Sequence, residues 1–250
     1  MTRTQHTKTA RIQAILLAVL LVATALVTGT PAPAINDSVS VIVRAADGYN
    51  LSEAIAEVGG SVVQNLEIID GVSALVPSDL LAGLAANPMV VSITPNVGVQ
   101  MAAAGWETDK VRFNQNTYDG TVHKIAAGVL QVGAFWEQGY TGEGIDIALI
   151  DSGVVPVDGL SYPGKIINGP DLSFESQVDE LRYLDTSGHG THLAGIIAGR
   201  DDGAPINSTN SADFLGMAPG SRIVSVKVAD SSGATDVSQV IAAIDWVVQH

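Results

Sequence analysis

With 250 residues, 46% of them apolar, the chain is long enough to bury a sizeable core and to hold more than one domain, and its composition carries no bias toward disorder. A formal net charge of −14 leaves no basic stripe to neutralise phosphates, which argues against nucleic acid as a partner and for a soluble, acidic surface with some preference for cationic substrates. The absence of Cys removes disulfides, thiolate zinc sites and a cysteine nucleophile together.

Arg3, Lys8 and Arg11 precede an almost unbroken aliphatic and Ala run over residues 12–27. Thr30-Pro31-Ala32-Pro33-Ala34 then breaks any helix and offers Ala32-Pro33-Ala34 as a small-residue cleavage site. This is the layout of a secretory signal peptide over residues 1–34, so the protein is expected to be secreted and extracellular, meeting a membrane only in transit. The alternative is a retained anchor, because the run lies near the short end of what spans a bilayer.

From residue 38 onward the apolar rhythm defines a compact unit. Residues 39–43 read as a strand, 51–58 as a short amphipathic helix closed by Gly59-Gly60, and 61–68 as a second strand. Asp70-Gly71 is a hairpin turn signal before a third strand over 72–76. Ser78 can cap a helix running to Ala86 that Asn87-Pro88 ends, and 90–93 form a fourth strand. The order β-α-β-β-α-β is the ferredoxin-like α+β arrangement, which by itself says nothing about role. Residues 101–133 come next, without clear periodicity. The small-residue stretch Gln100-Met101-Ala102-Ala103-Ala104-Gly105 suits a plain connection or a processing site.

Chemistry enters after Ala134. Thr141-Gly142-Glu143-Gly144 is a turn, and the strand over 145–150, interrupted only by Asp146, ends on Asp151-Ser152-Gly153. An acidic residue at the carboxyl end of a buried parallel strand lies where open α/β sheets place ligand chemistry. An Asp that merely caps a turn is the other use of such a triplet. In Ser187-Gly188-His189-Gly190-Thr191-His192-Leu193-Ala194-Gly195, His189 sits between two glycines, and an Ala/Gly/Ile-rich stretch through Gly199 then reads as a closely packed helix. Small neighbours let a substrate backbone approach an imidazole that shuttles protons. His189 and His192 lack the spacing and the intervening Glu of a helical zinc motif, so no metal is assigned, and His192 is expected to pack or hydrogen-bond behind the site. Gly216-Met217-Ala218-Pro219-Gly220 leads into a strand over 223–228 and the turn Asp230-Ser231-Ser232-Gly233. Thr235 or Asp236 then starts a helix whose Val240, Ile241, Ile244, Val247 and Val248 form one apolar face. Strands alternating with helices imply a parallel sheet.

Taken in order, Asp151-Ser152-Gly153, His189-Gly190-Thr191-His192-Leu193-Ala194-Gly195 and Met217-Ala218-Pro219 before Val226-Lys227-Val228 resemble the subtilisin-like serine proteases over residues 134–250. The resemblance implies an α/β chain: an incomplete parallel-sheet catalytic domain preceded by a ferredoxin-like propeptide over 35–100 that assists folding and inhibits. It implies that Asp151 and His189 are catalytic. Asp151 would orient and electrostatically support His189, and His189 would take the proton of a serine and return it to the leaving amine. It implies further that Gly233, Ala234 and Thr235 bind substrate as an edge to which a peptide adds a strand, with Val237 at a more distant apolar subsite. The partners would be protein or peptide substrates and the chain's own propeptide, released within the stretch from Gln100 to Gly105.

The family's nucleophilic Ser and its oxyanion Asn come well after Val226-Lys227-Val228, and His250 is reached before either. The chain is therefore expected to be a fragment, inactive as it stands, with Ile147, Leu149, Val224 and Val226 short of cover. No cofactor is assigned. Residues 200–213, with Asp201, Asp202, Asn207 and Asn210, take the place of a calcium loop in relatives; calcium and a solvated surface insertion both remain open there, and Asp158 is a further carboxylate of the same kind. The alternative to an endopeptidase is a non-catalytic subtilisin-like binding or propeptide module.

Overall fold

The computed structural model describes residues 37–101, 130–208, 210 and 213–250. The signal-peptide segment 1–34 and residues 102–129 of the connection lie outside the described residues. The first unit runs β1 (Ser38–Ala45), α1 (Leu51–Glu57), β2 (Ser61–Leu66), β3 (Gly71–Pro77), α2 (Leu81–Ala85) and β4 (Val90–Pro95). Its antiparallel sheet has the order β2-β3-β1-β4, the split arrangement expected from the β-α-β-β-α-β sequence. Strand alternation decides what each face meets. Val41, Val43 and Ala45 of β1, with Val72, Ala74 and Val76 of β3, pack against Leu51, Ala54 and Ile55 of α1 and Leu84 of α2. Ile42 points the other way and packs in a separate cluster with Leu66.

Local chemistry differs from the sequence reading at two turns. β2 ends at Leu66, and Glu67–Ile69 form a 3-10 turn closed by Asp70 in a left-handed conformation at φ 51°. Gly71 belongs to β3, where it pairs with Leu66 and Arg44. A Cβ at Gly71 would sit 2.6 Å from the Val43 carbonyl oxygen, so this glycine serves close strand approach and not a two-residue hairpin turn. Helix α2 starts after Leu80 without a side-chain cap; the Ser78 backbone N–H instead donates to the Asp37 carbonyl at 3.0 Å.

β5 (Gly98–Gln100) closes the first unit, and the second contains α3 (Gly133–Glu137), β6 (Asp146–Asp151), β7 (Ile166–Asp171), α4 (His189–Ala198), β8 (Arg222–Lys227), β9 (Ala234–Asp236) and α5 (Val237–Gln249). β6, β8 and β7 form a parallel sheet in that order, with β8 central. α4 covers one face: Ala194 and Ala198 meet Leu149, Val154, Leu160 and Ile223. α5 covers the other, where Ala243 meets Val226 and Val228. Of the four residues expected to be short of cover, Leu149 and Val226 are covered, while Ile147 and Val224 are half-buried. Val226 is fully buried, and Leu149 is 8% exposed. Among the described residues β6 carries a ladder on one side only.

α5 starts with a capping box in which the Asp236 carboxylate accepts the Gln239 N–H at 3.0 Å and the Gln239 side chain accepts the Asp236 N–H at 3.0 Å. The helix is gripped from two sides. Ala242 packs with Ile42 and Leu66 of the first unit, while its neighbour Ala243 packs on the parallel sheet. The expected single stripe of Val240, Ile241, Ile244, Val247 and Val248 is corrected accordingly. Ile241 joins the first-unit cluster and Val247 the sheet cluster, while Ile244 and Val248 are exposed. A pattern that looks for one apolar face misses a helix whose alanines bring two sheets close on two sides.

The core of the first unit is expected to depend on α1. Ile55→Ala, at a fully buried position, should cost about 2–5 kcal/mol, whereas Val63→Ala, at an exposed one, should change stability by no more than about 0.5 kcal/mol. Chemical denaturation of the two variants checks both.

Candidate active site

The parallel register brings one row of residues to the carboxyl end of the sheet. Asp151 of β6 and Asp171 of β7 both pair with Lys227 of β8. Helix α4 starts beside this row, and its first residue, His189, turns Nδ1 to the Asp151 carboxylate at 2.8 Å from Oδ1 and 3.0 Å from Oδ2. The Asp151 side chain is 7% exposed and the His189 ring 30%, so the carboxylate is shielded while the imidazole remains reachable. The two candidates named from the sequence are thus in contact, 38 residues apart in the chain.

The contact depends on a glycine. A Cβ at Gly190 would lie 2.1 Å from the Gly153 carbonyl oxygen and 3.0 Å from Asp151 Oδ1, so no larger residue lets α4 approach β6 this closely. Ser152 locks the approach from below. Its Oγ accepts the Gly190 N–H at 3.0 Å and lies 2.7 Å from Asp185 Oδ1 and 3.1 Å from Asp151 Oδ1, while its backbone N–H donates to Asp151 Oδ1 at 2.7 Å.

Asp185 is a site residue that no sequence pattern marks, although it stands only four residues before His189 in the same loop. Its carboxylate accepts the N–H of Gly188 at 2.7 Å, and the N–H and Oγ1–H of Thr191 at 2.8 and 2.6 Å. The Thr191 hydroxyl in turn accepts the Val155 N–H at 3.1 Å. Burial pushes the Asp185 carboxyl up, but the hydrogen bonds from Thr191, Ser152 and Gly188 outweigh it and hold it below its ordinary value. It serves the first turn of α4 as a cap supplied from outside the helix.

Sequence reasoning also misses Lys227 and Glu175. Lys227 is 1% exposed, with Nζ 3.0 Å from Glu175 Oε2. For Lys227 a signal exists: a lysine within the apolar run Ile223 to Val228 must bury a charge and therefore needs a partner. Glu175 lies in an irregular polar stretch where no pattern marks it. Burial pushes its carboxyl up, yet hydrogen bonds from Thr186, Lys227 and Ser231 hold it below the usual range.

Gly233, Ala234 and Thr235, expected as an open edge for a peptide, are paired with another segment of the chain itself. β9 pairs antiparallel with β5, Val99 opposite Thr235 and Gln100 opposite Ala234, and the Met101 N–H donates to the Gly233 carbonyl at 3.0 Å. The turn leading into β9 is built on Asp230, whose Oδ1 accepts N–H bonds from Ser232 and Ala234 at 2.9 and 3.0 Å. Val237 packs in the cluster with Ile42 and Leu66 and does not line an open subsite. His192 is exposed and lines a cavity of about 380 Å³ with Val157, Asp158 and Thr191, instead of packing behind the site.

In the polar insertion, Asp201 Oδ2 accepts the Phe214 N–H at 2.7 Å and closes the loop. Among the described residues no cluster of three or more His, Asp or Glu is gathered for a metal.

Residues 142–250 match the model of the subtilase family. The chain is 29% identical over 198 residues to the minor extracellular protease Epr of Bacillus subtilis, covering 79% of this chain and 28% of that one. To subtilisin E of the same species it is 28% identical over 200 residues, covering 79% and 44%. To a subtilisin of Bacillus pumilus it is 37% identical over 117 residues, covering 47% and 38%. The chain thus spans less than half the length of these relatives. Two solved structures share its fold. Fervidolysin from Fervidobacterium pennivorans, a keratinolytic enzyme related to subtilisin, matches with a TM-score of 0.57 at 22% identity, over 85% of this chain and 34% of that one. The epidermin leader peptide processing serine protease of Staphylococcus aureus matches with a TM-score of 0.59 at 15% identity, over 85% and 48%.

Asp185→Ala should lower stability by about 0.5–2 kcal/mol, the range for losing a helix cap. Because the folded carboxyl is held below its ordinary value of 3.8, the gap between parent and variant should be full above that pH and close as the pH falls through the depressed value. Denaturation curves at neutral and acid pH read this directly.

Proposed function

We propose that the protein is a secreted serine endopeptidase made as an autoinhibited precursor, a reading supported by the match of residues 142–250 to the subtilase family model. One observation carries the reading: the hydrogen bond between shielded Asp151 and reachable His189, at the carboxyl end of a parallel sheet. Asp151 accepts the Nδ1–H of His189, which fixes the tautomer and leaves the Nε2 lone pair as the base. The serine hydroxyl that this mechanism requires gives its proton to Nε2 as its oxygen attacks the peptide carbonyl. The imidazolium so formed is stabilised by Asp151 and returns the proton to the leaving amine, and water then repeats the sequence to free the acid.

The first unit fits the role of propeptide. It closes its own core, docks on α5 and sends β5 along the edge at β9, the geometry in which a peptide substrate adds a strand. The bond to be cut lies in the stretch after Gln100. Export is supported by the signal-peptide layout of residues 1–34 and by the extracellular relative Epr. The substrates are proteins or peptides bound through their backbones.

In the full-length protein, His189→Ala is expected to reduce peptide hydrolysis by several orders of magnitude, the scale on which members of such a unit fail, while His192→Ala retains a larger share. Steady-state kinetics of both variants test the assignment, and an active His189→Ala enzyme with an inactive His192→Ala one would sink it.

The mature enzyme should begin beyond residue 100, and the first unit added in trans should inhibit it. Val99→Pro, which removes an N–H from the middle of β5, should weaken that inhibition. N-terminal sequencing and inhibition titrations check these outcomes. A secreted mature protein that keeps Asn36 or Ser38 at its N-terminus would contradict the precursor reading.

A further inference from the structure

We propose that the buried Lys227–Glu175 ion pair is a positioning unit that sets the Asp151 loop, the His189 loop and the β9 edge relative to one another. The inference rests on the peptidase reading of Asp151 and His189. The ammonium of Lys227 uses its three donors on three partners: the Ser152 carbonyl at 2.8 Å, the Ala229 carbonyl at 2.8 Å and Glu175 Oε2 at 3.0 Å. Ser152 follows Asp151 directly, so the first of these fixes the backbone that carries the carboxylate.

Glu175 extends the arrangement on its other sides. Its Oε2 also accepts the Thr186 hydroxyl at 2.7 Å, three residues before His189. Its Oε1 accepts the Ser231 N–H at 3.0 Å, two residues before Gly233. One ion pair therefore touches each segment that carries a candidate functional group: the strand end of Asp151, the loop into α4 and the turn into β9.

Fold stability alone does not call for this arrangement. Taking a lysine and a glutamate out of water is costly, and two apolar side chains of similar volume fill such a space at least as well. What apolar side chains cannot do is hold several backbone and hydroxyl groups at fixed directions from one point. Thr186 is only partly buried and Ser231 is exposed, so the pair reaches the surface at the loop into α4 and the turn into β9.

The test uses the full-length mature enzyme. In the double variant Lys227→Met with Glu175→Leu both charges are removed together, so no lone buried charge remains. It should melt close to the parent, yet its kcat should fall about tenfold to a hundredfold, the scale of an ångström of misplacement. Its KM should rise for peptides long enough to pair with β9 and stay unchanged for a short amide that does not reach β9. Thr186→Val cuts only the link to the His189 loop and should lower kcat with KM unchanged. A folded double variant with parental kcat and KM overturns the proposal. If the double variant fails to fold, Thr186→Val decides, and a parental kcat there overturns it.

Should the parent itself hydrolyse nothing, the peptidase reading fails separately. The proton resonance of His189 Nδ1–H then carries the test: it should move in Thr186→Val, and an unmoved resonance overturns the proposal.

Discussion

The parallel register of β6, β8 and β7 is the constraint on which the rest of the second unit depends. Pairing Asp151 and Asp171 with the same residue, Lys227, makes the three strands end at one level. Each strand end then anchors another segment of the chain. Asp151 receives His189. Asp171 accepts N–H bonds from Ser173 at 3.0 Å and Tyr183 at 2.9 Å, which turns the chain back so that Glu175 and Asp185 face the sheet end. Lys227 ties those returns to the strands. A slip of one residue along β6 would turn Asp151 to the opposite face and dismantle all three arrangements.

α5 plays the corresponding part between the two units. Two adjacent alanines let one sheet lie on each side of it, so the first unit rests directly on the element that covers the second. Polar contacts fix the rotation between them. Asn96 Oδ1 accepts the Ser238 N–H at 3.0 Å, and Asp245 Oδ2 accepts the Glu67 N–H at 3.2 Å. With these in place, the short run from β4 to β5 can reach only one edge, that of β9. Docking of the first unit and occupation of the β9 edge are one event.

The sequence is most revealing where a single strong local pattern governs. The first-unit strands, α1, β6, β8, α4 and the Asp236 start of α5 are legible because apolar periodicity and capping residues act locally. Asp151 and His189 are legible through ordered motifs, not through any local signal of chemistry. β7 is hidden because its Asn168-Gly169-Pro170 reads as a turn, and only the central strand β8 draws it into the sheet, with a register shift at that place. β5 and β9, three residues each, are too short for periodicity, and each exists because the other does. Glu175 and Asp185 sit in polar loops whose partners lie in other segments, so their roles come from tertiary contacts alone. The stripe on α5 misleads because burial on two sides looks, in one dimension, like burial on one.

The two-residue connection between β4 and β5 has a consequence for how firmly the edge at β9 stays occupied. Asn96 and Val97 separate a strand of the docked sheet from the strand lying on the edge, so β5 is held against β9 at a high effective concentration. Tethers this short correspond to millimolar levels, on the order of 10⁻³ M or above. A break in the chain beyond residue 101 leaves that tether intact, since β5 remains joined to the first unit. What changes is the molecularity: the edge is then vacated by dissociation of the whole unit, and the free fraction depends on total concentration. Dilution, with no change in any contact, becomes the variable that frees the β9 edge.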